Sequence, residues 1–537
     1  MQKKTIFARE ATGLVRELSG FDATNLNMAW LNILIGTIWT FSWIPVVYPG
    51  ANLVITLGAV VIPLIFLGQL YSVMSRAMPR SGGDYVWTSR ILHPSLGMLQ
   101  SAFVVYFFFI SIGMQSAFVA QFYLSPMCFA FGRLFGDSGL MSWGSILLTP
   151  TWVFIVGTLA VVFYFICAVI GVRSYAKAQL VLFVGANFAM IVLILLLLST
   201  PHETAVGIIN SRLAGSGQTY DSIIKLAQQN GYSPGWSVAS SLIALPYAYT
   251  FYWGFYNSNW YSGEVKNAGK IMNRAVFAAL LIAACFAVAI AFLTFSTFGF
   301  DFYNGLNYLY FGAPSAYPPN TALAIPYLNY MATLLTDSPI IVLIIVVGYL
   351  MNGLWQLVAG ILPATRQIFA WSFDRLIPEK FSEVSERFHS PIWTMILMGI
   401  LGEVSILIWI YTTLAAYLVN TTIGFLVANL VVSVACFVLP MRRKELFEST
   451  IPSRWKAKVA GLPLLSWLSL VVIVCTLFML YAACTNAVVG GPISYQSMFA
   501  GVVGPMIAGV LIYVIAKAYR KSHGIDIDLA FREIPPE

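Results

Sequence analysis

The apolar positions of this chain come in long blocks rather than in stripes. Windows of about 20 mainly apolar residues, the length that carries a helix across a bilayer core, recur about twelve times between short polar stretches. The first five occupy residues 25–48, 52–75, 96–131, 149–171 and 176–199. A sixth lies within 236–274, and the later ones include 275–298, 338–361, 412–439, 463–484 and 498–517, with the ninth running on from Pro391. The predicted fold class is therefore an all-α integral membrane protein. Little polar chain is left over: a segment at 1–24, an outer loop at 200–235, an inner loop at 441–462 and a tail at 518–537.

Two of the windows do not read as unbroken helices. In the sixth, PYAYTFYWGFYNSNWYSGEVKNAGK, Pro246 removes a backbone donor and Gly254 adds a freedom that helix interiors disfavour. In the first, Gly36-Thr37 stands near the centre and Pro45 near the outer end. Unpaired backbone groups in hydrocarbon cost several kcal/mol each, so a break at depth survives only inside protein or beside a watery cavity. Taken alone, such a window is either a binding site or a kinked helix packed on its neighbours. Breakers in corresponding windows, however, are the mark of an inverted-repeat transporter. Residues 25–199 and 236–440 then form two five-span repeats, the odd number inverting the second, and 463–517 adds two further helices.

Composition agrees with a membrane protein: 59% of residues are hydrophobic and 9% charged, against roughly 25% charged in soluble domains. The net charge of +8 raises the question of nucleic acid, and its distribution answers it. Alternating the loops puts 26 of the 29 Lys and Arg on one side and only Arg133, Arg212 and Lys225 on the other. That is the insertion bias of a multi-pass protein of the cell membrane with both termini cytoplasmic. The opening Met1-Gln2-Lys3-Lys4 lacks the apolar core of a signal peptide, so no cleaved leader is expected. The six cysteines and four histidines, His389 among them, have no ligand spacing, and no paired acids or nucleophile with its base stand out. Neither a metal, a cofactor nor an enzyme is expected.

Three strings carry a resemblance. Gly254-Phe255 followed by Gly263-Glu264-Val265-Lys266-Asn267, the string PRSGGDYVW at 79–87, and the segment 364–391 with Arg366, Asp374, Pro378 and Pro391 resemble stretches of the amino acid, polyamine and organocation permease superfamily. Ile35-Gly36-Thr37-Ile38 matches its first-span motif in part, with Ile38 at a usual glycine; Tyr256 and Ala268 replace a common acid and proline. Ala186 and Asn187 stand where some proton-coupled members carry a lysine, and residues 346–362 contain no Ser or Thr, so neither common cation site is implied.

What the resemblance implies is a secondary transporter that moves amino acids by alternating access; a polyamine or organic cation carrier of the same fold is the alternative, and a channel is the reading from another class. The substrate would sit at unwound middles of spans 1 and 6. Gly36, Thr37 and Ile38 would offer amides to a carboxylate, and the carbonyls from Ala248 to Phe251 would accept an ammonium. Tyr252 and Trp253 would wall the pocket, with Gly254 supplying the break. Asn352 and Gln356, four apart on one helical face, either contact substrate or join helices. Arg80, Asp84, Glu264, Lys266, Arg366 and Asp374 would form an inner gate or scaffold, Arg80 and Asp84 through charge-assisted hydrogen bonds. Glu403 stands twelve residues past Pro391, roughly 18 Å into a core about 30 Å thick. It is either a protonated acid bonded to backbone or a proton-coupling site. The polar 202–234 and the aromatic 301–337 would lie over the outer helix ends, the latter as a gate or an interfacial loop. The partners implied are a small-molecule substrate and the lipid bilayer.

Overall fold

A computed structural model describes residues 13–31, 33–169, 172–318, 322–385, 390–412, 420–486 and 495–535. Eleven of its helices are long and apolar enough to cross a membrane. Numbered by the windows above, they are span 1 (Gly20–Val47), 2 (Leu53–Ala77), 3 (Pro94–Phe135), 4 (Pro150–Cys167), 5 (Arg173–Leu198), 7 (Ala268–Phe298), 8 (Pro339–Phe373), 9 (Ile392–Tyr411), 10 (Thr421–Arg442), 11 (Leu464–Thr485) and 12 (Tyr495–Ser522). The twelfth window, span 6, is missing from this set because it is in pieces: helices Val238–Ile243 and Leu245–Tyr252, then 3-10 turns Asn257–Trp260 and Ser262–Glu264. The protein is all-α; the strands among the described residues are a two-residue hairpin, Lys458–Val459 with Leu462–Pro463. Residues 1–12, Asn32, Gly171, His389 and the 413–419 part of the tenth window lie outside the described residues.

The spans pack in pairs: 2 with 7, 5 with 8, 10 with 11, and 3 with both 9 and 12. Large apolar side chains remain exposed on the outward faces, Leu159, Val181, Leu198, Ile340 and Val474 among them, as lipid-facing surfaces require. At one end the helices His202–Arg212, Tyr220–Gln229, Phe300–Gly312 and Leu328–Leu334 cover the span ends, and Arg133 and Arg212 meet on Asp337 at 3.1 and 2.6 Å. At the other end Leu14 packs on the cluster of Phe369, Phe373 and Ala530, so the N-terminal segment and the tail share one face.

Span 6 breaks where its residues leave no alternative. Pro246 starts the second piece, and Trp253 turns extended (ψ 136°) before Gly254 at φ +94°, a region L side chains rarely adopt. A Cβ on Gly254 would also lie 2.6 Å from Trp30 Cβ. Beyond the break no long helix resumes until Ala268, yet everything from Phe255 to Ser262 is buried. Backbone groups there bond to other segments: Ser258 N–H to Asn27 Oδ1 at 2.7 Å, and Gly82 N–H to the Trp260 carbonyl at 2.8 Å.

Span 1 corrects the expectation. The backbone is helical from Ile33 to Val47, through Gly36, Thr37 and Pro45, and is not unwound at Gly36-Thr37. The glycine serves a different need: a Cβ on Gly36 would collide with the Phe251 ring, so its absence lets span 6 come against span 1.

Candidate functional site

Between the start of the Ile33–Val47 helix and the end of Leu245–Tyr252 lies a cavity holding about 670 Å³ of unfilled space, its open side included. Trp30, Trp39, Phe107, Phe118, Phe251 and Trp253 make most of its wall, joined by Gly36, Gln115 and Gln356. Among the described residues, no charged side chain lines it. Four polar atoms of its wall are buried without a hydrogen-bond partner: the indole Nε1 of Trp30 and of Trp253, and Oε1 of Gln115 and of Gln356. Buried polar groups are almost always paired, so two donors and two acceptors left unpaired on residues of one wall suit a polar guest there. The helix ends add to this. Of the last four carbonyls of Leu245–Tyr252, that of Tyr252 takes the Phe255 amide at 3.3 Å, while those of Tyr249, Thr250 and Phe251 have no following helical amide to bond, and the C-terminal end of a helix favours a cation.

The expected contact residues divide. Gly36, Phe251, Trp253 and Gln356 line the cavity. Thr37 and Ile38 do not: their amides lie inside a continuous helix, and the Thr37 hydroxyl is taken by the Leu34 carbonyl at 2.6 Å and by Tyr349 OH at 2.7 Å. Ala248 is also corrected, because the helix continues to Tyr252 and its carbonyl is not among the released ones. Tyr252 and Gly254 stand at the break but off the cavity wall. Asn352 is turned to the other use foreseen for it, accepting from the Ile35 amide at 3.2 Å and so tying span 8 to the first turn of the Ile33–Val47 helix.

Toward the face that bears both terminal segments, the space under Trp253 is filled by Trp260 and Phe108, with Tyr256 beside Trp260. Below them lie two buried ion pairs, each held by two parallel bonds. Arg366 meets Glu264 at 2.6 and 2.6 Å, and Arg90 meets Asp374 at 2.7 and 2.7 Å. These link span 8 to the segment after the break and to the helix Asp84–Ile91. Such geometry suits guanidinium and carboxylate, and removing one partner leaves a buried charge alone. Arg80 and Asp84 do not bond each other. Arg80 Nε donates to the Pro535 carbonyl of the tail at 2.7 Å, while Asp84 takes neutral donors. Lys266 is exposed, and only its amide joins the assembly, through the Leu18 carbonyl at 2.9 Å. Glu403 accepts from the Thr158 hydroxyl of span 4 at 2.6 Å, a side chain rather than backbone, and is half-buried away from the cavity.

A family model described as amino acid permease matches residues 25–511. The chain belongs to the amino acid permease family. No individually curated protein matches it. Permeases of this family are transporters of amino acids or related organic substrates, and the eleven spans with a broken segment between the fifth and seventh fit that class. The permease's cavity also has walls that sequence reasoning missed. Trp30 and Trp39 of span 1 and Phe107, Gln115 and Phe118 of span 3 give no motif. Gln115 carried a usable signal all the same. An amide deep in an apolar span seeks a partner inside the bundle; in the structure a π-helical turn, Val119–Leu124, follows it, a distortion frequent at functional sites.

Proposed function

We propose that this permease is a secondary transporter of neutral, zwitterionic amino acids that works by alternating access across the cell membrane, with both termini cytoplasmic. The observation that carries this is the uncharged aromatic cavity with two unpartnered indole N–H groups and two unpartnered amide oxygens. A zwitterion offers the complement, a carboxylate for the donors and an ammonium for the acceptors and the helix carbonyls. The indole and phenyl faces suit an apolar side chain, and the lack of a lining acid disfavours a polyamine. The ion pairs of Arg366 and Arg90 hold the cytoplasmic end closed, and release of the segment after Gly254 from span 8 would open it. Reconstituted in liposomes, the protein should show saturable counterflow of labelled leucine or phenylalanine that unlabelled substrate competes away. Linear, non-competable flux would replace the carrier with a channel, and preference for putrescine would move the substrate class to polyamines.

A further inference from the structure

Three carboxylates are buried among the described residues: Glu264, Asp374 and Asp84. The first two are closed by guanidinium groups. Asp84 has no cationic partner among the described residues. Its Oδ1 accepts from Trp260 Nε1 at 2.9 Å and Gln367 Nε2 at 3.1 Å, and its Oδ2 from Tyr71 OH at 3.3 Å. These donors come from three separate pieces of chain: the turn after the break in span 6, span 8 and span 2. Burial without a counter-charge favours the neutral acid. Desolvation pushes the Asp84 carboxyl up to about 6, against the pull of the bonds from Gln367, Trp260 and Tyr71.

The Tyr71 hydroxyl has two acceptors and one proton. Besides Asp84 Oδ2 it reaches Asn429 Oδ1 of span 10 at 3.1 Å. The same Oδ1 accepts from Tyr256 OH at 3.1 Å, and Asn429 Nδ2 donates to Tyr249 OH. Tyr249 belongs to Leu245–Tyr252, the helix whose end forms one side of the cavity. Asp84 is thus one hydroxyl away from a network that runs to the substrate side of span 6.

We propose that Asp84 is a proton-binding site that couples substrate movement to a proton gradient by deciding which acceptor the Tyr71 hydroxyl serves. This rests on the transporter reading above. With Asp84 ionised, Tyr71 donates to the carboxylate. A proton taken from water forms an O–H bond at Oδ2 that donates to the Tyr71 oxygen, and the Tyr71 proton turns to Asn429 Oδ1. Neutral Asp84 also holds Trp260 and Gln367 less strongly, so the segment after the break can part from span 8. Loss of the proton on the other side of the membrane resets both bonds.

The groups around Asp84 are otherwise committed. On its own helix, Tyr85 donates to Asp374 and Arg90 pairs with it. On span 8, Arg366 is paired with Glu264. Span 3 presents the neutral Gln100, bonded to Thr88. Arg443 of the loop after span 10 donates to the Phe531 carbonyl of the tail, where Asp528 pairs with Lys517 of span 12.

The test compares the wild-type protein, Asp84→Asn and Tyr71→Phe in liposomes with labelled leucine and phenylalanine, alongside pH-difference infrared spectra of the carboxyl carbonyl band. For one proton per substrate, an outside one pH unit more acid than the liposome interior should raise wild-type accumulation about tenfold. Asp84→Asn should keep exchange, lose that gain and lose the band that titrates near neutrality. Tyr71→Phe should lose the gain and keep the band. Full gradient-driven accumulation by Asp84→Asn, a wild type that exchanges but ignores the gradient, or a wild type without the band would overturn the proposal. If no protein exchanges either amino acid, the transporter reading for neutral substrates fails, and the band alone decides whether Asp84 binds a proton.

Discussion

Spans 1 and 6 carry the same sequence feature, a glycine beside aromatic or polar residues in the middle of an apolar window, and the chain uses the two glycines in opposite ways. Gly254 takes a left-handed turn that ends a helix. Gly36 stays helical and gives up its side chain so that the Phe251 ring can lie against it. One glycine shapes its own backbone, and the other accommodates a neighbour's side chain. The cavity needs both: the break frees carbonyls and turns Trp253 inward, and the close approach brings the frame of span 1 to meet it.

The difference can be broken experimentally. The largest effect is expected where span 6 has no helix to support it. Glu264→Gln leaves Arg366 buried and unpaired, and should destabilise the protein by about 3–5 kcal/mol, read as loss of thermal stability in detergent. A change within about 1 kcal/mol would mean that the segment after the break is held by something else. Next, Gly254→Val forces a β-branched residue to φ +94° against Trp30, a strain of about 1–3 kcal/mol before the clash is counted. Leucine uptake should fall to background with membrane insertion intact, and normal uptake would remove the break from the mechanism.

Gly36→Ala should cost about 1–3 kcal/mol through overpacking and lower uptake about tenfold. If the glycine is there only for the ring, Phe251→Leu in the same chain restores most of the loss, whereas trimming a neighbour should not rescue Gly254→Val, whose fault lies in its own backbone. The smallest effect belongs to Thr37→Val, which removes the hydroxyl's bonds to Tyr349 and to the Leu34 carbonyl from an otherwise intact helix and should cost about 1 kcal/mol.

The membrane class, eleven of the spans and the broken sixth were legible because hydrocarbon punishes polar backbone so heavily that apolar run length and breakers say nearly everything. The state of span 1 was not, since a turning glycine and a packing glycine look alike in one sequence and the deciding atom, the Phe251 ring, lies far along the chain. The same limit applies to the charges. Arg366, Glu264 and Asp374 stood out in strings, but Asp374's partner is Arg90, three residues beyond PRSGGDYVW, and Arg80 turns from Asp84 to a backbone carbonyl of the tail. Pairing of side chains is set by three-dimensional neighbours, while the tendency of each residue to be buried is set locally.

The tail itself has a consequence for how the protein is made. Carbonyls of Phe531, Glu533 and Pro535 accept from Arg443, Arg90 and Arg80, and the Phe531 ring lies 5.0 Å beneath the Arg90 guanidinium. These acceptors follow every span in the sequence, so Arg80 and Arg90, from before span 3, and Arg443, from after span 10, gain them only once the chain has been made past residue 531. Closure of this face therefore joins segments made at widely separated times, and a chain ended before residue 531 would keep its spans while three arginines on this face lost these backbone acceptors.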